Sequence, residues 1–320
     1  MKLVVLDSYA AVSNDLSLDC LNKYCDEMTV YDRTLPQDTV VRIGNAEMVI
    51  VNKTLLHKEV LEQCPNLKYI GLFATGYNII DIDYCKEHGI VVANAPAYST
   101  SGVAQLTFAF LMHFYNKVDQ HNNEVHNGMW TNCQDFCFYD KGISELMGKT
   151  IGLIGFGSIA KQVARIAQAF DMRVLVSSRT RYPEYESNTL RFVDMNTLLK
   201  NSDIISIHCP LFPETRNLIN QEAIDKMKPN AILINTARGP IIDEKVVAKA
   251  LNEGRIAGAG VDVVSAEPIK ADNPLLSAKN CVITPHIAWA GKETRARLIQ
   301  IVAENLKNFV LGNPSNNVAK

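Results

Sequence analysis

Residues 150–170 read TIGLIGFGSIAKQVARIAQAF and predict a strand that turns into a helix through three small residues. The strand is the apolar run Thr150–Ile154, and the turn has the pattern G-x-G-x-x-A at Gly155, Gly157 and Ala160. Apolar side chains then recur at the spacing of an amphipathic helix, at Ile159, Val163, Ile166, Ala167 and Phe170. This stretch favours a parallel α/β sheet with a helix packed on its face.

The glycine turn indicates a binding site for a dinucleotide. Gly155 permits the tight turn, Gly157 lets the backbone approach a pyrophosphate, and Ala160 lets the helix lie close to the strand. Unpaired N–H groups at the start of the helix favour an anion. We therefore expect the cofactor to contact Gly155, Phe156, Gly157, Ser158 and Ile159. A plain tight turn is the alternative, which the strand before and the amphipathic helix after disfavour.

Short apolar runs recur along the rest of the chain, in the alternating rhythm of strands and helices. They cover residues 3–6, 48–51, 69–72 and 90–93, then 150–154, 173–176, 203–208, 231–235, 258–263 and 281–284. The later runs are nearly continuous, as is typical of strands buried on both faces. We predict an α/β fold of two Rossmann-like domains with parallel sheets.

The predicted cofactor domain covers residues 100–287 and is inserted into a substrate domain made of residues 1–99 and 288–320. A helix over residues 101–118, with Val118 as the last member of its apolar stripe, would link the two and lead into an arm that contains Trp130. An amphipathic helix over residues 293–311 would return to the first domain. We expect the active site in the cleft between the domains.

Composition points to small-molecule chemistry in the cytoplasm. The 320 residues carry 32 Lys and Arg against 34 Asp and Glu, a net charge of −2 that gives no general attraction for nucleic acid or an anionic membrane. No stretch reaches the roughly 20 apolar residues of a membrane span, and the N-terminus has no signal-peptide pattern. The eight cysteines lack zinc-site spacing, so we expect reduced thiols and no metal.

The segment that would meet the adenosine ribose lacks the usual acidic residue. About 20 residues after the glycine turn, an Asp or Glu commonly binds the ribose hydroxyls. Here the run is SSRTR, with Ser178 and Arg179 at that place. Arginine holds a 2′-phosphate that a carboxylate would repel, which favours NADP over NAD. The alternative is a solvated loop in an enzyme that uses either cofactor.

Three segments at the predicted carboxyl ends of later strands carry candidate catalytic groups. They are NTARGPIID with Arg238, GVDVVSAEP with Asp262 and Glu267, and TPHIAWA with His286. Ligands of an open α/β sheet bind at this edge. Taken singly, Arg238 could form a surface ion pair, Glu267 could be a turn residue and His286 could be structural. Together they predict an active site. Cys209, Pro210, Thr236 and Ala237, which follow neighbouring strands, would line the cofactor cleft.

The chain resembles the D-isomer-specific 2-hydroxyacid dehydrogenases over nearly its whole length, in these three segments and in LFATGYNIID at 72–81 and NAPAYSTSGVAQ at 94–105. The resemblance is strongest to the glycerate dehydrogenase or hydroxypyruvate reductase branch. Gln105, where much of the wider family has Glu, suits that branch. The resemblance implies hydride transfer between NAD(P)H and a small 2-keto acid, most simply hydroxypyruvate to D-glycerate. A glyoxylate or D-lactate-type reductase, or a non-catalytic NAD(H)-sensing co-regulator, stays open.

The resemblance also implies roles for individual residues. His286 would give its proton to the keto oxygen, Glu267 would orient the imidazole through its far nitrogen, and Arg238 would bind the substrate carboxylate. Asp262 would bond the nicotinamide carboxamide or else cap a loop.

The remaining implied contacts lie on the substrate side. The loop at Thr75 and Gly76 would offer a nest of N–H groups, and Asn52 would lie near the substrate. Trp289 would either wall the pocket or pack between the domains. The family expectation is a homodimer built on the arm.

Overall fold

A computed structural model describes residues 1–139 and 142–320 of the chain. It divides into two compact units, one of Met1–Ser99 with Trp289–Lys320 and the other of Thr100–Ala288. Each unit is built on one sheet whose strands all run parallel. The predicted α/β class with two parallel-sheet, Rossmann-like units is confirmed.

The first unit has a five-stranded sheet in the order β2-β1-β3-β4-β5. Its strands are β1 Lys2–Val5, β2 Glu27–Val30, β3 Met48–Val51, β4 Tyr69–Leu72 and β5 Val91–Ala93, and its helices are α1 Tyr9–Val12, α2 Thr39–Ile43, α3 Lys58–Leu61, α4 Ile82–Glu87 and α11 Lys292–Val310. Apolar clusters cover both faces of this sheet, and α11 buries Leu298, Val302 and Leu306 against one of them.

The second unit has a seven-stranded sheet in the order β12-β11-β10-β9-β6-β7-β8. Its strands are β6 Thr150–Ile154, β7 Arg173–Ser177, β8 Leu190–Phe192, β9 Ile204–Ile207, β10 Ile232–Asn235, β11 Gly258–Val261 and β12 Cys281–Ile283, and its helices are α5 Thr100–Asn116, α6 Val118–His126, α7 Ser158–Ala169, α8 Met195–Asn201, α9 Gln221–Lys226 and α10 Glu244–Asn252. The strand order reverses between β6 and β9, which opens a crevice at their carboxyl ends.

Strand β11 reads GAGV, a weak strand sequence by propensity, and its glycines have a packing reason. A Cβ at Gly258 would lie 2.7 Å from the Phe114 ring, and one at Gly260 would lie 2.7 Å from the Phe110 ring. Helix α5 therefore sits directly on β11, closer than any residue with a side chain would allow.

Three features differ from the sequence prediction. The predicted helix over 101–118 ends at Asn116, because Lys117 takes a left-handed conformation with φ of 49°, and α6 begins after it. Val118 is consequently 64% exposed, so its assignment to the apolar stripe was wrong. Strands β2 and β8 were both missed, because each is an edge strand and neither is a continuous buried run. EMTV of β2 has no fully buried residue, and LRF of β8 buries only Leu190.

Among the residues that the structure describes, no helix combines the length and the apolar character needed to cross a bilayer.

Candidate active site

The glycine turn after β6 lies at the crevice of the second unit. Gly155 has a φ of 92°, and a Cβ there would come within 2.9 Å of the backbone nitrogen of Cys209 and the carbonyl oxygen of His208. Both the backbone conformation and the close approach to the loop after β9 therefore require glycine. Around Gly157, in contrast, a Cβ would meet no protein atom within 4 Å. Space for a ligand is open at that position.

Helix α7 begins directly after this turn. Gly157 is its N-cap and offers no side-chain hydrogen bond, so the first N–H groups of the helix depend on a partner from outside it. Gly157 and Ser158 are exposed and Ile159 is half-buried. Phe156 is only 4% exposed and packs against the rings of Tyr182, Tyr185 and Phe192. The buried ring anchors a turn whose donors face solvent.

The loop after β7 carries the two candidate ribose contacts, Ser178 and Arg179, and a second arginine, Arg181, with different surroundings. The Ser178 hydroxyl donates to the carbonyl of Thr180 at 2.8 Å. Arg181 forms an ion pair with Glu186 at 2.8 Å. The guanidinium of Arg179 lies over the Phe212 ring, with its Cζ atom 5.2 Å from the ring centroid. Of the two arginines, Arg179 is the one without a carboxylate partner among the described residues.

The ends of β9 and β10 continue the same edge. Cys209 and Ala237 are half-buried and Pro210 is exposed. Thr236 is 8% exposed, and its hydroxyl has no hydrogen-bond partner in the described part of the chain. His208 contacts the Ser206 hydroxyl at 2.9 Å, and burial lowers the pKa of its imidazole to about 4. This histidine is therefore neutral near pH 7, which suits a structural role.

Arg238 follows β10 on a loop that its neighbours hold firmly. Buried Asn235 donates to the carbonyl of Arg238 at 3.0 Å and accepts from the N–H of Ala237 at 3.1 Å. At Gly239 a Cβ would lie 2.0 Å from the carbonyl carbon of Val264, so this loop rests on the backbone that leads to Glu267. The guanidinium itself is exposed and donates to the carbonyl of Ala237 at 2.7 Å.

His286 and Glu267, which are distant in the sequence, meet in the structure. Nδ1 of His286 lies 2.7 Å from Oε2 of Glu267, and the two side chains are 29% and 35% exposed. This leaves Nε2 of the imidazole for a substrate, since no hydrogen bond engages it among the described residues. No hydrogen bond joins His286 to the guanidinium of Arg238 in that same part of the chain.

Asp262 arranges the loop that carries His286. Its carboxylate is 1% exposed and accepts from the Thr284 hydroxyl at 2.6 Å and from the backbone N–H groups of Ile287 at 2.8 Å and Ala288 at 2.9 Å. Its own carbonyl accepts from the N–H of His286 at 2.8 Å. These contacts hold His286 at a φ of 54°, an uncommon conformation for a residue with a side chain. The loop-capping alternative for Asp262 is thus present in the structure, and its cofactor contact stays a prediction.

The predicted substrate residues of the first unit lie at the carboxyl ends of its strands. Asn52 is buried and donates to the carbonyl of Phe73 at 2.7 Å, so its amide braces the end of β4. The Thr75 hydroxyl donates to the carbonyl of Ala95 at 2.7 Å. The backbone N–H groups of Thr75 and Gly76 have no protein acceptor among the described residues, although Gly76 does not take the positive φ of a regular nest. Trp289 packs, partly exposed, on the core of this unit.

Sequence reasoning missed two polar residues that support these loops. Asp7, after β1, accepts from the N–H groups of Asn52, Lys53 and Thr54 at 2.6, 2.5 and 2.7 Å, and desolvation raises the pKa of its carboxyl. Asn235 plays the matching part beside Arg238. The available signal was a polar residue at the end of an otherwise apolar strand.

These features fit a nicotinamide dinucleotide in the second unit. The clear space at Gly157 and the unpaired donors of α7 suit a pyrophosphate, and the orphaned hydroxyl of Thr236 suits a polar group of a ligand. Both lie at the carboxyl edge of the sheet, where such cofactors bind.

Comparison with known proteins gives the family. The sequence profile for the NAD-binding domain of D-isomer specific 2-hydroxyacid dehydrogenases matches residues 108–288. A hydroxypyruvate reductase of Blautia hydrogenotrophica is 48% identical over 323 aligned residues, which cover 100% of both chains.

Two solved structures are similar over 99% of this chain. One is an acyclic imino acid reductase in complex with NADPH and D-Arg, with a TM-score of 0.85, 32% identity and 100% of its own chain covered. The other is a D-lactate dehydrogenase with NAD+ from Lactobacillus jensenii, with a TM-score of 0.81, 29% identity and 99% of its chain covered. The chain belongs to the D-isomer-specific 2-hydroxyacid dehydrogenase family and is an oxidoreductase with a nicotinamide cofactor.

Proposed function

We propose that this enzyme reduces hydroxypyruvate to D-glycerate and that it uses NADPH in preference to NADH. The similarity to a hydroxypyruvate reductase over the full length of both chains supports the substrate. The contact between Nδ1 of His286 and Oε2 of Glu267 is the observation that carries the chemistry, because it orients an imidazole whose other nitrogen can act as a general acid or base.

In the proposed reaction, Nε2 of His286 donates its proton to the keto oxygen of the substrate. The carboxylate of Glu267 fixes the orientation of the ring through Nδ1, so that Nε2 is the nitrogen left for the substrate. In the reverse direction the neutral imidazole accepts the proton of the 2-hydroxyl group. The nicotinamide supplies or accepts the hydride when it is bound.

The substrate carboxylate needs donors in a fixed arrangement. We assign this part to the guanidinium of Arg238, whose planar fork matches a carboxylate. The backbone N–H groups of Thr75 and Gly76 stay candidate substrate donors of the first unit. In the structure the Arg238 guanidinium donates to the carbonyl of Ala237 in its own loop. This bond is readily exchanged for one to a charged ligand. Asn52 and Trp289 remain candidate positions on the substrate side.

The proposed cofactor contacts are the pyrophosphate donors at Gly155, Phe156, Gly157, Ser158 and Ile159 and the polar and apolar rim at Cys209, Pro210, Thr236, Ala237 and Asp262. The preference for NADPH rests on the exposed guanidinium of Arg179, which has no carboxylate partner among the described residues. Ser178 is the second ribose contact, although its hydroxyl proton is engaged by Thr180 in the structure.

We further propose a homodimer built on the arm and a cytoplasmic location. The arm is taken here as residues 127–139, which follow α6. It exposes large apolar side chains, with Trp130 at 54%, Phe136 at 90% and Tyr139 at 72%, as is usual for a surface that another chain covers. All eight cysteines are free thiols, which suits a reducing compartment.

Steady-state kinetics with hydroxypyruvate, glyoxylate and pyruvate, each with NADPH and NADH, test the proposal. We expect the highest kcat/KM for the pair hydroxypyruvate and NADPH. A higher kcat/KM for another acid would refute the substrate, and a higher value with NADH would refute the cofactor preference. Binding of NADPH without oxidation by any of the three acids would instead match a non-catalytic cofactor-sensing protein.

A further inference from the structure

Phe212 is an exposed aromatic residue on a rigid backbone. It follows β9 and is 41% exposed. The N–H of Phe212 donates to the Thr215 hydroxyl at 2.7 Å, and the carbonyl of Phe212 accepts from the N–H of Thr215 at 3.1 Å. The Thr215 hydroxyl in turn donates to the carbonyl of Pro210 at 2.8 Å. These bonds hold the backbone that carries the ring at the carboxyl edge of the sheet.

A charged side chain lies over the Phe212 ring. The guanidinium of Arg179 lies over it, 5.2 Å from the centroid, within the range of a cation–π contact. Arg181, two residues further on, makes its contacts elsewhere: it binds both carboxylate oxygens of Glu186, at 2.8 and 2.9 Å. The loop after β7 thus contains one arginine neutralised by a carboxylate and one held by an aromatic ring.

The position of this contact relates it to the cofactor. Strands β7 and β9 flank β6 in the sheet, so Arg179 and Phe212 stand on either side of the glycine turn. The adenosine ribose of a dinucleotide binds at the end of the strand that follows this turn. When a guanidinium stacks on an aromatic ring, the two groups meet face to face. The N–H donors at the edge of the guanidinium then stay free for phosphate oxygens.

We propose that Phe212 is a specificity-determining residue for the cofactor: its ring is the platform that holds Arg179 ready to bind the 2′-phosphate of NADP. The inference rests on the proposed preference for NADPH and assigns it to a pair of residues from two separate loops. Phe212 acts here as a positioning residue, since the phosphate would contact Arg179.

Calorimetric titration of the full-length protein with adenosine 2′,5′-bisphosphate and with 5′-AMP tests the proposal without turnover. The decisive quantity is the ratio of the two dissociation constants. We expect Phe212→Leu to weaken binding of the bisphosphate by about two- to fivefold, as the loss of an exposed cation–π contact predicts, and to leave 5′-AMP unchanged. Phe212→Tyr keeps the aromatic face and should keep the ratio. Arg181→Gln is the matched control and should also keep it.

A double-variant comparison separates the platform from a general structural effect. In an Arg179→Gln background, Phe212→Leu should cause no further change in the ratio, because the cation that the ring holds is gone. A ratio unchanged or improved by Phe212→Leu, or an equal loss for both ligands, would overturn the inference while leaving the cofactor preference intact. A wild-type protein that binds the two ligands equally would overturn the preference itself, and the inference with it.

Discussion

The glycines show how much single residues decide in this site. Gly155 combines a positive φ with a close approach to the backbone of Cys209, whereas Gly157 has an ordinary extended backbone and open space around it. The sequence motif predicts that both are small, but it does not reveal that the structural reasons differ. Only the positions of the neighbouring backbone atoms separate a glycine needed for folding from a glycine needed for a ligand.

We predict opposite consequences for alanine at these two positions. Gly155→Ala should lower the free energy of unfolding by at least about 1–2 kcal/mol, because an L-residue is strained at positive φ and its Cβ collides with the next loop. Gly157→Ala should leave stability unchanged and weaken NADPH binding, because its methyl group takes the space that we assign to the pyrophosphate. Chemical denaturation and fluorescence titration measure the two effects. Equal stability loss in both variants would contradict this reading.

Other residues of the site could be predicted only as members of a pattern. Arg238, Glu267 and His286 could each have a purely structural role. Their joint occurrence at strand ends is what indicates catalysis. Asn235 and Asp7 were not predicted, because a single polar residue at the end of an apolar strand has no periodicity or motif. Their hydrogen bonds to the backbone of the neighbouring loops become visible only when the chain is folded.

At the scale of elements, the strands of the second unit other than β8 were predicted well, because burial on both faces makes them continuously apolar. The predicted runs 203–208 and 258–263 extend past the ends of β9 and β11, since the residues after each strand remain partly or fully buried in the loops. The break between α5 and α6 was missed, because Val118 continues the helical spacing and only the backbone at Lys117 interrupts it.

The end of β9 gives a pH dependence of stability. Burial lowers the pKa of His208 to about 4 in the folded protein, while the unfolded chain takes up the proton near pH 6.5. Between these two pH values the unfolded state binds more protons than the folded state. The contribution of His208 to the free energy of unfolding is therefore fully present above about pH 6.5. It falls as the pH drops towards 4, by at most about 1.4 kcal/mol per pH unit.

A His208→Gln variant should lose this contribution and keep a polar contact with Ser206. We expect the difference in unfolding free energy between wild type and variant to shrink as the pH falls from 6.5 to 4 in denaturant titrations. A difference that stays constant across this range would show that His208 does not titrate as its burial implies.

For the whole molecule, the exposed apolar side chains of the arm lead to a prediction about assembly. Phe136→Asp should convert the proposed dimer into a monomer, because a charge in a buried interface is costly. Val41→Asp is the control: this residue is 82% exposed and belongs to the first unit, whereas the arm belongs to the second, and the variant should leave the assembly unchanged. Sedimentation velocity distinguishes the forms. A wild-type protein that is monomeric at micromolar concentration would refute the dimer.

The most direct test of the whole account is the hydroxypyruvate-dependent oxidation of NADPH by a His286→Gln variant, measured beside its affinity for NADPH. Since Nε2 of His286 is the proposed proton donor, we expect turnover to fall by about 10²–10⁴ while the dissociation constant of NADPH stays within about twofold of the wild-type value. A variant that binds the cofactor and turns over at the wild-type rate would contradict the account.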